Sequence, residues 1–301
     1  MKPTCICFTM RKLNLMAKKK FTKKDIINYY QTSQWLYKLF VYNPQSLGMH
    51  FGFWNKNTKN RQEAISNEND EVIKTAGIKR GVKILDAGCG IGGTSIQIAE
   101  KTGAKVWGIT ITPEQVDLAN KYAREKNVDN LINFSVQDYT KTNFAPNFFD
   151  VVIGIESICY ASPKSSFLKE AYRVLKPGGR IVIADGYLGR EPKNDKERKI
   201  VTKFTWAFAL PEFVSGYSMF KQMTETGFTH LQNRNMDNKI QPTLKYFTSL
   251  ANGTSLACIA SKYVPISHIQ AIYKNYTALK MAGEGWKIGL AAYFIHSGQK
   301  P

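Results

Sequence analysis

Residues 82–93 read VKILDAGCGIGG. The apolar run that ends at Asp86 is typical of a buried strand in a parallel sheet. Glycines follow at 88, 90, 92 and 93, and a helical stretch over residues 94–101 comes next. A strand, a glycine-rich turn and a helix in this order let backbone N–H groups approach a ligand with no Cβ in the way. The spacing differs from the Gly-x-Gly-x-x-Gly of hydride-transfer dinucleotide domains, so that class is not indicated.

Strand and helix patterns alternate downstream of this turn. The predicted strands lie near 82–87, 105–110, 131–136, 149–155 and 180–186, and the predicted helices near 92–101, 113–126 and 163–175. Alternation of this kind predicts an α/β fold with a parallel sheet covered on both faces. The Leu-Lys-Pro-Gly-Gly stretch that begins at Leu175 marks the end of the third of these helices and leads into the fifth strand.

The segments that flank this core are mostly helical by pattern. Helices are predicted over 25–45, 61–76, 195–210, 217–226 and 242–283, with breaks at Gly253 and Pro265, and strands over 228–235 and 288–296. We therefore expect a basic tail (1–24), N-terminal helices of a lid (25–77) and a ligand-binding domain (78–301). Cap insertions near 187–226 and 240–285 would roof the carboxyl edge of the sheet, where ligands bind in open α/β sheets.

Composition narrows the class of protein. The 301 residues are 43% hydrophobic, which is enough to bury a sizeable core. No apolar run approaches 18 residues, so no membrane span is predicted, and the N-terminus lacks the apolar region of a secretory signal. Five cysteines without a pattern favour a reducing cytoplasm and indicate neither a disulfide framework nor a metal site.

The net charge of +19 is concentrated at the start of the chain. The first 24 residues carry eight Lys or Arg residues and no acid. Such a run is compatible with a solvated tail. It is equally compatible with attraction to nucleic acid, acidic lipid head groups or a phosphorylated substrate, and charge alone does not choose among them.

The acid-x-Gly-x-Gly-x-Gly pattern at residues 86–92 and the Leu-Lys-Pro-Gly-Gly stretch resemble motifs of class I S-adenosylmethionine-dependent methyltransferases. The resemblance implies a Rossmann-like seven-stranded methyltransferase sheet with N-terminal helices and a helical cap. Residues 108–115 read GITITPEQ. This stretch is similar to the Gly-(Ile/Leu)-Thr-x-(Ser/Thr)-x-x-Gln of sterol C-methyltransferases, γ-tocopherol methyltransferases and cyclopropane fatty acid synthases.

The resemblance also implies which residues hold S-adenosyl-L-methionine. In the glycine turn these are Asp86, Gly88, Cys89, Gly90 and Gly92. After the later strands they are Thr110, Gln115, Gln137, Asp138 and Ile155. Asp138 would accept the adenine amino group, and Thr110 and Gln115 would contact the ribose or methionine part. Thr112, Pro113 and Gln115 also match a helix capping box, and the two interpretations are compatible.

Two residues are candidate catalytic groups. Glu156 ends the fourth strand, where the same subgroup and prenyl diphosphate C-methyltransferases carry a glutamate that acts as a base or as a partner of a carbocation. The alternative is that Glu156 only closes the floor of the cofactor site. His50 belongs to a His-aromatic-Gly-aromatic segment similar to the entry segment of the tocopherol and sterol enzymes, although it is also typical of a packing cluster. The candidate substrate-pocket residues are Tyr30, Phe51, Trp54, Tyr160 and Trp206.

The favoured function is methyl transfer from S-adenosylmethionine to an apolar small molecule such as a prenyl compound, a sterol, a quinol or a related secondary metabolite. A diphosphate substrate would bring magnesium with it. The alternatives are a cyclopropane synthase acting on lipid acyl chains, and an RNA methyltransferase or nucleic-acid-binding protein that uses the basic tail. Nucleic acid is the less expected partner, because no amino-methylation motif follows the fourth strand and no RNA-recognition motif is present. The sequence leaves the acceptor atom and any homo-oligomeric state open.

Overall fold

The computed structural model describes residues 21–41 and 46–301. A single seven-stranded sheet has the strand order β3-β2-β1-β4-β5-β7-β6. Its strands are β1 (Lys83–Ala87), β2 (Lys105–Thr110), β3 (Ile132–Val136), β4 (Phe149–Ile155), β5 (Leu175–Leu188), β6 (Thr229–Asn235) and β7 (Ala291–Gln299). The predicted Rossmann-like seven-stranded sheet is confirmed, and β1 to β5 run parallel to one another.

One strand departs from the predicted parallel sheet. β7 lies antiparallel to both β5 and β6. It follows directly on helices at the carboxyl edge of the sheet, so the chain enters β7 from that edge and has to run back across the sheet.

Ten α-helices surround the sheet within the described residues. They are α1 (Lys23–Leu36), α2 (Arg61–Ala76), α3 (Gly93–Thr102), α4 (Pro113–Glu125), α5 (Lys164–Val174), α6 (Asp195–Phe208), α7 (Gly216–Thr226), α8 (Asp237–Gly253), α9 (Ser255–Ala260) and α10 (Ser267–Lys287). One π-helical turn, Tyr37–Val41, follows α1. Among the described helices, none is both long and apolar enough to cross a lipid bilayer.

Local signals explain most helix boundaries. α2 begins after Asn60, whose side chain accepts a hydrogen bond from the Glu63 N–H, and ends at Gly77 in the left-handed region. α5 ends at Val174 as predicted. The Leu-Lys-Pro-Gly-Gly stretch is not a loop before β5, however. Leu175 already pairs with Phe149, and the residues after it form an irregularity within the strand pairing.

Side chains alternate across the sheet and build a core on each face. On one face, α2, α8 and α10 pack against residues such as Ile84, Val151 and Val182. On the other face, Met219 of α7 packs with α5 residues such as Phe167. The predicted cap segment 187–226 is therefore wrong in its second half, because α7 covers the sheet and the cavity-lining part of the segment ends at Phe213.

Candidate functional site

The carboxyl ends of three adjacent central strands each place a carboxylate in one cavity. Asp86 and Asp185 lie near the carboxyl ends of β1 and β5, and Glu156 directly follows β4. All three line a cavity of about 540 Å³. The cavity is roofed by α1, α6, α8, α9 and α10. This is the edge at which open α/β sheets bind ligands, and the volume lies in the range of small-molecule sites.

The glycine turn after β1 forms one end of the cavity. Gly88, Cys89, Gly90 and Gly93 line it. Gly90 has φ +54°, and an added Cβ would meet the Met49 side chain at 2.9 Å. The turn is thus a backbone-lined surface that a ligand can approach closely.

Gly92 packs against Phe134 and does not line the cavity. A Cβ there would lie 2.6 Å from Cζ of Phe134, and Gly92 is not among the lining residues. It is therefore the member of the predicted cofactor set in the turn that the structure places outside the cavity.

Asp86 is buried beneath the turn and accepts a hydrogen bond from the Ser95 hydroxyl at 2.6 Å. Burial raises the pKa of Asp86 to about 6, against the opposing effects of Ser95 and of His50. A cation close to this carboxylate would favour its ionised form.

Thr110 and Gln115 line the cavity beside the turn and bond to each other. The Thr110 hydroxyl donates to Oε1 of Gln115 at 2.7 Å. The predicted capping box is wrong, because Gln115 is turned back toward β2 and Thr112 makes no capping hydrogen bond. The Gln115 side chain is consequently held at the cavity wall.

Gln137 and Asp138 follow β3 but do not line the cavity, whereas the next residue, Tyr139, does. One Asp138 oxygen accepts hydrogen bonds from the Thr140 N–H and hydroxyl, both at 2.8 Å. The other oxygen is paired with Lys23 at the start of α1. Partial burial opposes ionisation of Asp138, but Lys23 and Thr140 together lower its pKa. The carboxylate predicted to accept the adenine amino group is thus paired with a lysine of α1.

Glu156 lines the cavity just after Ile155, the last residue of β4, which lines it as well. Oε1 of Glu156 accepts the Phe51 N–H at 2.7 Å and the Tyr293 hydroxyl at 3.1 Å. Its φ is +47°, an uncommon backbone conformation that concentrates at functional sites. Burial and the negative charge of Glu68 raise the pKa of Glu156 well above its usual range.

A buried network continues from Glu156 to His50. The Tyr293 hydroxyl also lies 2.7 Å from Oε1 of Glu68, and Oε2 of Glu68 lies 2.6 Å from Nδ1 of His50. His50 lines the cavity and is 6% exposed, and its Nε2 has no hydrogen-bond partner among the described residues. A ligand atom in the cavity could supply the missing partner.

Aromatic rings cover the far end of the cavity. Of the five predicted pocket residues, Tyr30, Phe51 and Tyr160 line it. Trp54 instead donates its indole N–H to Thr243, and Trp206 packs on Tyr273, so both lie outside the lining. Helical periodicity explains why Trp206 lies outside the cavity lining. Phe204 and Phe208 are four residues apart on α6 and face the cavity, which turns Trp206 away from it.

Sequence reasoning missed several lining or supporting groups. These are Glu68, Asp185, Tyr293, Phe204, Phe208 and Trp286. Asp185 could have been found, because it follows the apolar core of β5 at the carboxyl edge. Its carboxylate accepts the N–H groups of Cys159 and Gly186, both at 2.8 Å, and burial raises its pKa to about 6. Glu68 and Tyr293 carry no local signal.

Comparison with known families adds independent findings. Residues 78–241 match the family described as a methyltransferase domain. Erythromycin 3''-O-methyltransferase of Saccharopolyspora erythraea is 26% identical over 256 residues, which cover 77% of this chain and 84% of that protein. Tocopherol O-methyltransferase of Arabidopsis thaliana is 28% identical over 270 residues, 84% of this chain and 76% of that protein.

A further relative, sterol 24-C-methyltransferase of Saccharomyces cerevisiae, is 31% identical over 231 residues, 72% of this chain but only 59% of that protein. Among solved structures, the [4+2]-cyclase SpnF matches with TM-score 0.74 at 23% identity and covers 93% of this chain and 96% of its own. Geranyl diphosphate methyltransferase with GPP and sinefungin matches with TM-score 0.72 at 18% identity, 92% of this chain and 99% of its own. These structural matches establish the shared fold.

Proposed function

This chain belongs to the S-adenosylmethionine-dependent methyltransferases, and from that premise we propose that it methylates an uncharged, apolar acceptor of the isoprenoid type, with Glu156 as the catalytic residue. One observation carries the proposal. The glycine turn and Glu156 border the same cavity, and the rest of that cavity is walled mainly by aromatic and aliphatic side chains.

The residues at the turn fit the cofactor. Gly88 and Gly90 line the cavity without side chains, Asp86 offers a carboxylate, and Nε2 of His50 has no hydrogen-bond partner among the described residues. We assign Asp86 to the cofactor's amino group and Thr110 with Gln115 to its ribose or methionine part. When bound, S-adenosylmethionine supplies an electrophilic methyl group on a sulfonium centre.

The charges around the cavity favour a neutral acceptor. Three carboxylates and one imidazole line it, and no Lys or Arg does so among the described residues. A diphosphate has no cationic partner there and would face repulsion from Glu156 and Asp185. An uncharged prenyl chain, sterol or quinol would instead bury its apolar surface against Phe204, Phe208 and Trp286.

Glu156 can serve the reaction in two linked ways. Methylation of an alkene carbon leaves positive charge on the acceptor, and a fixed carboxylate in an apolar cavity stabilises that charge. The carbon then returns to neutrality by losing a proton, which the carboxylate accepts. The raised pKa of Glu156 gives it a high proton affinity, and positive charge in the cavity favours its ionised form. The Phe51 N–H and the Tyr293 hydroxyl hold the oxygen in place.

The test is a transfer assay with methyl-labelled cofactor and a panel of sterols, quinols, prenyl alcohols, small amines, prenyl diphosphates with Mg²⁺, unsaturated phospholipids and RNA. We expect labelled product from an uncharged isoprenoid or quinol, with no requirement for Mg²⁺. Product mass separates simple methylation from cyclopropane formation on an acyl chain. Transfer confined to RNA or to prenyl diphosphates would overturn the proposed acceptor class.

A further inference from the structure

Helix α9 is an unusual surface element. Its sequence, SLACIA, contains no charged residue. Ala257 and Cys258 face the cavity, while Leu256 is 85% exposed and Ile259 is 43% exposed. A helix with so few polar side chains is expected to be covered by other residues, and among the residues that the structure describes only its cavity-facing side is covered.

The exposed apolar surface extends beyond α9. We call the apolar rim the set formed by Trp35, Leu39, Leu256, Ile259, Tyr263 and Ile266. Tyr263 and Ile266 follow α9 directly and precede α10. The start of α10 meets α1, because His268 and Trp35 border one shallow depression and Nδ1 of His268 lies 3.4 Å from the Thr32 carbonyl.

The apolar rim is continuous with the mouth of the cavity. Leu39 is 67% exposed and Trp35 is 36% exposed, yet both also line the cavity. An apolar path therefore runs from the outer surface of the lid to the interior, between α1 on one side and α9 on the other.

The two chain segments that form the apolar rim carry charge of one sign. Residues 238–283 contain five lysines and no Asp or Glu, and residues 26–41 contain Lys38 and no acid. Lys38 and Lys262 directly adjoin Leu39 and Tyr263, and the Lys262 ammonium lies 5.2 Å from the centre of the Tyr263 ring. A second copy of the chain would bring the same positive charge to the contact, whereas an anionic surface would complement it.

We propose that the apolar rim docks on an anionic lipid surface. Leu256, Ile259 and Ile266 would enter the interfacial layer, Tyr263 would lie at the head groups, and the lysines would face the lipid phosphates. The mouth of the cavity then opens toward the bilayer, so an apolar molecule dissolved in lipid reaches the interior without crossing water. This inference concerns membrane contact and stands whether or not the proposed acceptor class is right.

The test is flotation of the full chain with vesicles of phosphatidylcholine alone and of phosphatidylcholine with phosphatidylglycerol at roughly 7:3. We expect binding to the mixed vesicles that weakens at about 0.5 M salt, with much less binding to the neutral ones. The double variant Leu256→Glu with Ile259→Glu should lose at least about tenfold in bound fraction, because it removes buried apolar area and adds repulsion.

A matched double variant controls for the added charge. Val136→Glu with Tyr217→Glu also replaces two exposed apolar side chains, 51% and 76% exposed, at positions that do not line the cavity. Circular dichroism melting checks that both double variants fold. Equal binding by the two double variants, whether both lose binding or neither does, or no preference for anionic vesicles, would overturn the proposal. So would a concentration-dependent dimer in light scattering that only Leu256→Glu with Ile259→Glu abolishes, because the apolar rim would then be covered by a second copy.

Discussion

Two features of Glu156 are energetically unfavourable and are absent from an ordinary surface glutamate. It adopts a left-handed backbone conformation, and its carboxyl lies near a second buried carboxyl, Glu68. Each feature is unfavourable by itself. They persist because the Phe51 N–H and the Tyr293 hydroxyl fix the side chain where it borders the cavity. A residue held at a cost in this way is a candidate for chemistry rather than for stability.

We predict that Glu156→Gln lowers kcat by roughly 10²–10⁴-fold while leaving cofactor affinity nearly unchanged. The amide keeps the shape and can still accept the Phe51 N–H, but it cannot take a proton or carry negative charge. Glu170→Gln is the matched control, because Glu170 pairs with Arg173 on α5 and does not line the cavity. Steady-state kinetics with the acceptor found by the transfer assay provide the measurement, and normal turnover in Glu156→Gln would reduce the residue to a structural role.

The raised pKa of Asp86 predicts that cofactor binding depends on pH. Its pKa of about 6 means that the carboxylate is largely ionised at pH 7.5 and largely neutral at pH 5. Because the ionised form attracts the cofactor's ammonium group, affinity should fall by about tenfold between these two pH values. Calorimetric titration with S-adenosylhomocysteine measures the affinity.

Two variants identify the group that titrates. Asp86→Asn should bind more weakly at pH 7.5 and show little change toward pH 5. Asp185→Asn should keep the pH dependence, although Asp185 also has a pKa raised to about 6. A wild-type affinity that stays constant over this range would contradict the assignment of Asp86 to the amino group.

At the scale of elements, the sequence predicted the parts whose signal is local. Asn60 and Gly77 bracket α2, and the apolar run that ends at Asp86 lies largely in β1. The lid was harder to predict, because its elements are placed by packing. Both Trp206 and Phe204 are large and apolar, and only the orientation of α6 against α10 decides which of them faces the cavity.

The glycine turn gives a prediction with a close control. Gly90→Val places a branched side chain where the turn lines the cavity and should abolish measurable cofactor binding. Gly81→Val introduces the same kind of strain, since Gly81 has φ +82°, but a Cβ there meets nothing within 4 Å. We expect Gly81→Val to lower the melting temperature and to retain cofactor affinity. Equal affinity in both variants would count against the turn as the cofactor site.

Helix α1 gives a prediction about how the lid affects binding. Lys23 pairs with Asp138, which the sequence predicts to accept the adenine amino group, so we propose that cofactor and lid compete for this carboxylate. The Lys23 side chain is 65% exposed, and exposed pairs contribute about 0.2–1 kcal/mol. Lys23→Met should therefore strengthen cofactor binding by up to about fivefold, whereas the charge-matched Lys24→Met should leave it unchanged. Weaker binding in Lys23→Met would show that Lys23 closes over the cofactor instead.

For the molecule as a whole, the part of the site that could be predicted lies at parallel strands that are adjacent in the sheet. Asp86 lies near the carboxyl end of β1 and Glu156 follows β4, and both strands were predicted, so their convergence at one edge follows from topology. Glu68 and Tyr293 join them from a helix before the sheet and from the last strand, 225 residues apart in the chain. No local pattern encodes such a contact, because it depends on how β7 inserts between β5 and β6.

The insertion of β7 also buries an imidazole without polar partners. His296 is fully buried between Tyr187, Phe220 and Phe294, and neither ring nitrogen has a hydrogen-bond partner among the described residues. Burial disfavours the charged imidazolium and lowers the pKa of His296 to about 4. Its ordinary value of about 6.5 returns when the protein unfolds.

The folded state consequently loses stability as acid is added. Between pH 6.5 and 4 the unfolded chain binds a proton at this position and the folded chain does not, so stability is full above the unfolded pKa and falls with pH. The expected loss is about 2 kcal/mol at pH 5 relative to pH 7.5. Buried Asp86 and Asp185 have raised pKa values and act in the opposite direction, so the wild-type pH profile alone does not isolate His296.

The difference between the pH profiles of stability of wild type and His296→Phe isolates the contribution of His296. The phenyl ring keeps the aromatic packing and cannot be protonated. When the pH is lowered from 7.5 to 5, the free energy of urea unfolding of the variant should therefore rise relative to that of wild type by about 2 kcal/mol. His268→Gln, which also removes an imidazole but at an exposed position, should run parallel to wild type. Parallel profiles for His296→Phe and wild type would mean that the His296 ring is charged, or has found a partner, inside the folded protein.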